Sequence, residues 1–197
     1  MQFLVIECHP NKGSFTTSVA TMIRETLASK GYAVENINLV DDLFNPVMSV
    51  EDLKAWREGK TKDALVEKYQ AMITKADMLV IPFPVWWGNM PALLKGFWDK
   101  VFLPGWVFPN HLKGKSAIVI TTMTSSSSTF NEHQKNPIQG AFIKNTLEIC
   151  GIEVCKHFEI DKISSGREYA EEKIREIGCF FADMKQITSA LKHRGSD

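Results

Sequence analysis

The sequence has no surplus of either charge: 23 Lys and Arg stand against 23 Asp and Glu over 197 residues. A chain so balanced offers no electrostatic footprint for nucleic acid or for an anionic membrane surface. Its 4 cysteines include no Cys-x-x-Cys pair, which argues against a redox dithiol, a zinc site and a disulfide scaffold. Cys8, Cys150, Cys155 and Cys179 all lie in apolar stretches and read as small buried hydrophobes of a reducing compartment. No apolar run reaches membrane length; the longest, Met78 to Gly88, carries two prolines. The opening MQFLVIECHP lacks the basic region of a secretory leader, so a cytoplasmic protein is expected. A Gly-x-Gly-x-x-Gly fingerprint is missing. Gly114-Lys115-Ser116 is no P-loop either, because Pro109 occupies the position of the required earlier glycine.

What is present is ordinary for a globular chain, with 44% hydrophobic and 23% charged residues. The length fits one domain over residues 1–197. Phe3 to Ile6, Met78 to Phe83 and Ala117 to Thr121 are apolar without polar alternation, as in strands buried on both faces of a parallel sheet. Ala33 to Leu39 alternates and predicts a strand near one edge, and Glu153 to Ile160 predicts a last strand. Helical spacing predicts helices from Phe15 to Leu27, Leu65 to Ala76, Pro91 to Phe102, Ile138 to Ile149 and Glu168 to Leu191. The last carries Ile174, Ile177, Phe180, Phe181, Met184, Ile187 and Leu191 on one stripe. Strand and helix alternating in this way predict a doubly wound α/β fold on a five-stranded parallel sheet. Val40 to Lys62 and Thr122 to Pro137 read as long connections.

In such a sheet ligands bind beyond the carboxyl ends of the strands, where the strand order reverses. The loop after the first strand runs Glu7 to Ser18 into a helix start, whose free N–H groups and dipole attract an anion. Ser14, Thr16, Thr17 and Ser18 add hydroxyls, and His9 can donate to a phosphate oxygen. A plain helix cap with unrelated hydroxyls would explain the same residues equally well. The loop after the third strand, Pro82 to Pro91, sets Trp86 and Trp87 among prolines. Neighbouring side chains of an extended segment point opposite ways, so at least one ring should line a cavity and stack on something flat. A phosphate seat beside a ring seat suggests FMN or FAD.

The chain resembles the flavodoxin-like NAD(P)H:quinone oxidoreductases of the DT-diaphorase type and their bacterial relatives. The resemblance rests on His9, Ser14 and Phe15, on Asp42 to Pro46, on PFPVWWGNMPALLKGFWDKVFLPGW, and on Thr121-Thr122. It implies strand order 2-1-3-4-5, a flavin (FAD, with FMN as the alternative) and NAD(P)H as co-substrate. It implies that His9, Ser14, Phe15, Thr16 and Ser18 surround the phosphates. Pro84, Val85, Trp86, Trp87 and Gly88 would run along the ring and donate backbone hydrogen bonds to its polar edge, while Thr121, Thr122 and Met123 would close over its pyrimidine side. Met123 and Thr124 stand where the family usually has two glycines. His133 is a candidate proton donor, against a solvated loop histidine. The resemblance also implies a homodimer, for which Phe97, Trp98, Phe102 and Trp106 would suit an interface as well as a core. The expected activity is hydride transfer from NAD(P)H through the flavin to a quinone-like acceptor. The alternatives are an FMN electron carrier, a regulatory flavoprotein subunit of a potassium efflux system, or a fold that has lost its flavin.

Overall fold

The computed structural model describes residues 1–108 and 112–183. Its five strands, β1 (Gln2–Glu7), β2 (Ala33–Asn38), β3 (Met78–Pro84), β4 (Ser116–Thr122) and β5 (Glu153–Ile160), form one parallel sheet in the order β2-β1-β3-β4-β5. Every residue of β3 and β4 is buried, which is why both read as continuous apolar runs. Alternate side chains feed two cores. Leu4, Ile6, Leu79, Ile81, Phe83 and Val119 belong to one, and Phe3, Val5, Val80, Ile118 and Ile120 to the other.

The first core is roofed by α3 (Ala64–Lys75), α4 (Ala92–Val101) and a π-helix, π2 (Ile138–Glu148). The second is roofed by α1 (Phe15–Ser29) and α6 (Arg167–Ala182). Ile174, Ile177, Phe180 and Phe181 of α6 pack there as the stripe predicts; Met184, Ile187 and Leu191 lie outside the described residues. Phe97, Trp98 and Phe102 are buried in an aromatic cluster of the first core, which favours the core reading for them over an interface.

Two predicted connections contain structure. Within Val40 to Lys62 lies α2 (Val50–Glu58), opened by a capping box between Ser49 and Asp52 and closed by Gly59 at φ 69°. Its apolar residues Val50, Leu53 and Trp56 stay exposed, so the usual link between helical spacing and burial is missing. The Thr122 to Pro137 connection holds a single π-helical turn, π1 (Thr129–His133), whose Phe130 is buried.

The Asn45-Pro46 turn that precedes α2 is fastened to α4. A Cβ at Gly96 would stand 2.3 Å from Pro46 Cβ, so only glycine admits this contact. One turn further along, buried Lys100 donates to the Asn45 carbonyl at 3.1 Å and pairs with Asp52 at 3.3 Å. The short helix α5 (Pro104–Trp106) meets the end of α2 backbone to backbone, Gly105 against Gly59.

Candidate functional site

The sheet opens between β1 and β3. They pair only through Phe3–Met78, Leu4–Leu79 and Val5–Val80, whereas β3 and β4 stay paired out to Pro84–Thr122. Beyond Val80 one side of β3 therefore has no ladder to maintain. Pro82 and Pro84, which lack an N–H, are tolerated there although the strand is internal. The parting lies at the reversal of strand order and is lined by Glu7, Cys8, His9, Thr16, Thr17 and Pro82.

On the β1 side the loop builds itself from its own side chains. His9 Nδ1 accepts the Asn11 N–H at 3.0 Å, so the proton of the neutral ring sits on Nε2. Asn11 Oδ1 accepts from the Gly13 N–H at 2.9 Å, and the Asn11 carbonyl accepts from the Ser14 N–H and the Thr17 hydroxyl. Ser14 caps α1, its Oγ accepting the Thr17 N–H at 3.1 Å. Ser18 donates to the Ser14 carbonyl, and Thr16 meets Thr122 hydroxyl to hydroxyl at 2.7 Å. The hydroxyls expected to face a ligand are thus engaged inside the fold. Among the described residues, the amides of Phe15 and Thr16 at the first turn of α1 have no partner.

On the β3 side Trp86 and Asn89 exchange two backbone bonds, of 2.8 and 3.1 Å, around Trp87 at φ 51° and Gly88 at φ 74°. Positive φ at both central residues makes this a type I′ turn. The Val85 N–H donates to the Thr122 carbonyl at 2.8 Å. Val85 and Trp86 are therefore spent as backbone donors; the amides of Trp87 and Gly88 have no partner among the described residues. Trp87 is wholly exposed, and Trp86 is partly exposed with its ring edge-on to His9 at 6.0 Å. Trp87, Gly88 and Asn89 face Gln134 and Pro137 across a cavity of about 340 Å3.

The third loop is fastened to β5. Met123 donates to the Ile160 carbonyl and accepts from the Ile163 N–H, and its side chain is buried in the first core. Neither Met123 nor exposed Thr124 has a positive φ, so the backbone makes no demand for glycine at either position. Thr122 turns toward α1, whereas the Thr121 hydroxyl meets His157 Nε2 at 3.0 Å and the Phe158 carbonyl, away from the parting. His133 is exposed at the end of π1 and does not line the cavity.

Burial shifts three titratable groups nearby. Burial pushes the Cys8 thiol up to about 12, which removes it as a nucleophile. Burial likewise raises Glu7 despite its ion pair with Arg24. Burial holds His157 below the ordinary histidine range, against the opposing pull of Glu159. Gln134, Pro137, Asn136 and Glu159 were missed by sequence reasoning. The length of the Thr122 to Pro137 connection and the turn signal of Asn136-Pro137 mark that loop, but not which of its residues border the cavity.

A family model described as Flavodoxin-like fold matches residues 1–178, and the chain belongs to that family. It is similar to an uncharacterized NAD(P)H oxidoreductase of Haemophilus influenzae, 28% identical over 162 residues, 78% of this chain and 80% of the relative. Ribosyldihydronicotinamide dehydrogenase (quinone) of Mus musculus is 26% identical over 204 residues, covering 88% of this chain and 85% of the relative. Among solved structures, Smu.1420 of Streptococcus mutans superposes with a TM-score of 0.83 at 30% identity, over 93% of this chain and 100% of that one. An FMN-dependent NADH-azoreductase of Bacillus anthracis, solved in complex with FMN, shares the fold at TM-score 0.70 and 18% identity, over 93% of this chain and 100% of that one.

Proposed function

We propose that the protein is a flavin-dependent NAD(P)H:quinone oxidoreductase. The observation that carries this reading is the pairing, across the β1–β3 parting, of two kinds of partnerless donor. The Phe15 and Thr16 amides, with His9 Nε2, suit a phosphate; the Trp87 and Gly88 amides suit the polar edge of a ring. Relatives named NAD(P)H oxidoreductase and dehydrogenase (quinone) support it.

When bound, a flavin supplies hydride uptake from NAD(P)H and delivery to the acceptor. The protein's part is binding and electrostatics. The α1 N-terminus sets aligned peptide dipoles against the phosphate, worth roughly 0.3–1 kcal/mol even at an exposed site. The Trp87 and Gly88 amides stabilise negative charge gathering at the ring edge without themselves carrying charge. The Val85–Thr122 and Thr16–Thr122 bonds hold the three loops in fixed relation, so the donors stand ready before a ligand arrives. Exposed Trp87 offers its face to a flat partner. In this reading the proton reaches the reduced acceptor from solvent. Loss of a true general acid costs about 100-fold or more, so His133→Ala is expected to change turnover by less than about two-fold.

The flavin of this reading is FAD on the family resemblance; the FMN-bound azoreductase makes FMN the alternative. Two copies would pair along an exposed apolar strip. Trp56 and Ile149 line a cavity of about 210 Å3 together with Asn89, which also borders the cavity under Trp87. Of the four cysteines expected to be buried, Cys8 is, Cys150 and Cys155 are half-buried and Cys179 is exposed, and among the described residues no helix is long and apolar enough to cross a membrane.

The test is a visible spectrum of the purified protein after reconstitution with FAD and, separately, with FMN, followed by anaerobic NADPH. Retained flavin bands that bleach are expected. Bands that persist would point to a carrier or a regulatory subunit, and failure to retain either flavin would end the reading.

A further inference from the structure

The wall of the cavity opposite Trp87 and Gly88 is built on a strained piece of chain. Phe130 and Ile138 are fully buried, and the segment between them is largely exposed. The Asn136 N–H closes it by donating to the Phe130 carbonyl at 3.1 Å. Lys135 and Asn136 both adopt positive φ, of 57° and 42°. Two successive non-glycine residues in that region are costly and persist only where their surroundings over-determine them. Gln134 and Pro137, the two residues flanking this pair, are the ones that border the cavity.

One carboxylate stands at the centre of the hydrogen bonds that hold the turn. Glu159, near the end of β5, accepts from Asn136 Nδ2 at 2.6 Å through Oε1 and from Asn131 Nδ2 at 2.9 Å through Oε2. Asn136 Nδ2 also donates to Asn131 Oδ1 at 2.7 Å, and Asn136 Oδ1 accepts the Gln139 N–H at 3.1 Å at the start of π2. His157 Nδ1 lies 3.7 Å behind Glu159 Oε1, with its other nitrogen on Thr121. Hydrogen bonds to an ionised acceptor are short and strong, and Glu159 places two of them at the base of one loop. The spacing across the cavity is tight: a Cβ on Gly88 would stand 3.1 Å from Gln134 Oε1. A small movement of the turn therefore changes what can enter.

We infer that Glu159 is a positioning residue for the ring seat: by gripping Asn131 and Asn136 it holds the strained Lys135–Asn136 turn, and so fixes Gln134 and Pro137 across the cavity from Trp87 and Gly88. The ligand of that seat is a planar ring with a polar, carbonyl-bearing edge. Trp87 supplies an aromatic face, the two turn amides supply donors, and the Gln134 carboxamide supplies both a donor and an acceptor. This inference rests on the flavin reading above for the identity of the ring, but not for the clamp.

The test compares wild type with Glu159→Gln, Asn136→Gly and the double variant, using amide hydrogen exchange over residues 129–140 and titration with riboflavin, which presents the ring without a phosphate. Glu159→Gln turns one accepting oxygen into a donor facing an asparagine donor. It is expected to speed exchange in residues 131–137 and to weaken riboflavin about ten-fold, the effect of losing one hydrogen bond to a charged group. Glycine at 136 accepts positive φ freely, so the effect of Glu159→Gln should shrink in that background, and the two changes should not add. Unchanged exchange of residues 131–137 in Glu159→Gln would overturn the clamp, and so would strict additivity. If wild type binds no flavin while exchange still responds to Glu159→Gln, the clamp stands and the flavin reading falls.

Discussion

At Ser14 one hydroxyl satisfies the Thr17 amide and leaves the two amides before it open. Removing such a cap costs about 1 kcal/mol, so Ser14→Ala should lower the melting temperature of the ligand-free protein by about 2–4 °C. Gly88 is constrained twice, by φ 74° and by Gln134 Oε1 at 3.1 Å from a notional Cβ. Gly88→Ala should cost about 1 kcal/mol or more of stability, read by urea denaturation, and weaken riboflavin as well, because it tightens the ring seat. At this scale the sequence is readable where a residue's role follows from its local type. Ser14 at a helix start caps α1, and of the paired tryptophans among prolines one, Trp87, stands wholly exposed. It is opaque where the role depends on a distant partner. Nothing in the string shows that the Thr16 hydroxyl is taken by Thr122, that the Thr121 hydroxyl faces His157, or that Glu159 reaches Asn136.

Among the elements, those buried on two faces declare themselves. β3 and β4 are continuous apolar runs because both faces are covered, and α1 shows its stripe because one side packs on the sheet. Helix α2 carries helical spacing with exposed apolar residues, so burial could not be inferred from pattern; its capping box was the available sign. Helix π2 is legible as a helix from the spacing of Ile138, Phe142, Ile143 and Leu147, though not as a π-helix, and the single turn π1 is too short to show a period. What binds the α2 segment to the body is the Pro46–Gly96 contact with Lys100 beside it. Gly96→Ala would press a methyl group into Pro46, and overpacking of this kind costs about 1–3 kcal/mol. We expect a loss near the top of that range by urea denaturation, together with faster amide exchange over residues 43–59 as the turn lifts from α4.

Over the whole molecule, His157 is, among the described residues, the histidine that burial depresses, while Glu7, raised by burial, acts in the opposite sense further into acid. His157 is held below its ordinary value of 6.5, so the unfolded chain takes up a proton before the folded one does. The stability linked to its neutral form is complete above pH 6.5 and is lost as pH falls from there through the depressed folded value. Melting curves at pH 7.5 and 5.5 should show a drop for wild type, and His157→Asn should flatten it.

The donors assigned to the phosphate are peptide amides and the Nε2 side of the His9 imidazole. Lys12, the cationic side chain of that loop, lies in an exposed ion pair with Asp41 at 2.9 Å. Long-range attraction between free charges is what dissolved salt screens, over a distance of about 10 Å at 0.1 M. A seat made of dipoles has less of that attraction to lose than one made of free charges, although the helix-terminus contribution is itself weakened by salt. Ligand affinity should therefore fall only modestly between dilute buffer and strong brine, by less than a seat built on several free lysines or arginines would lose.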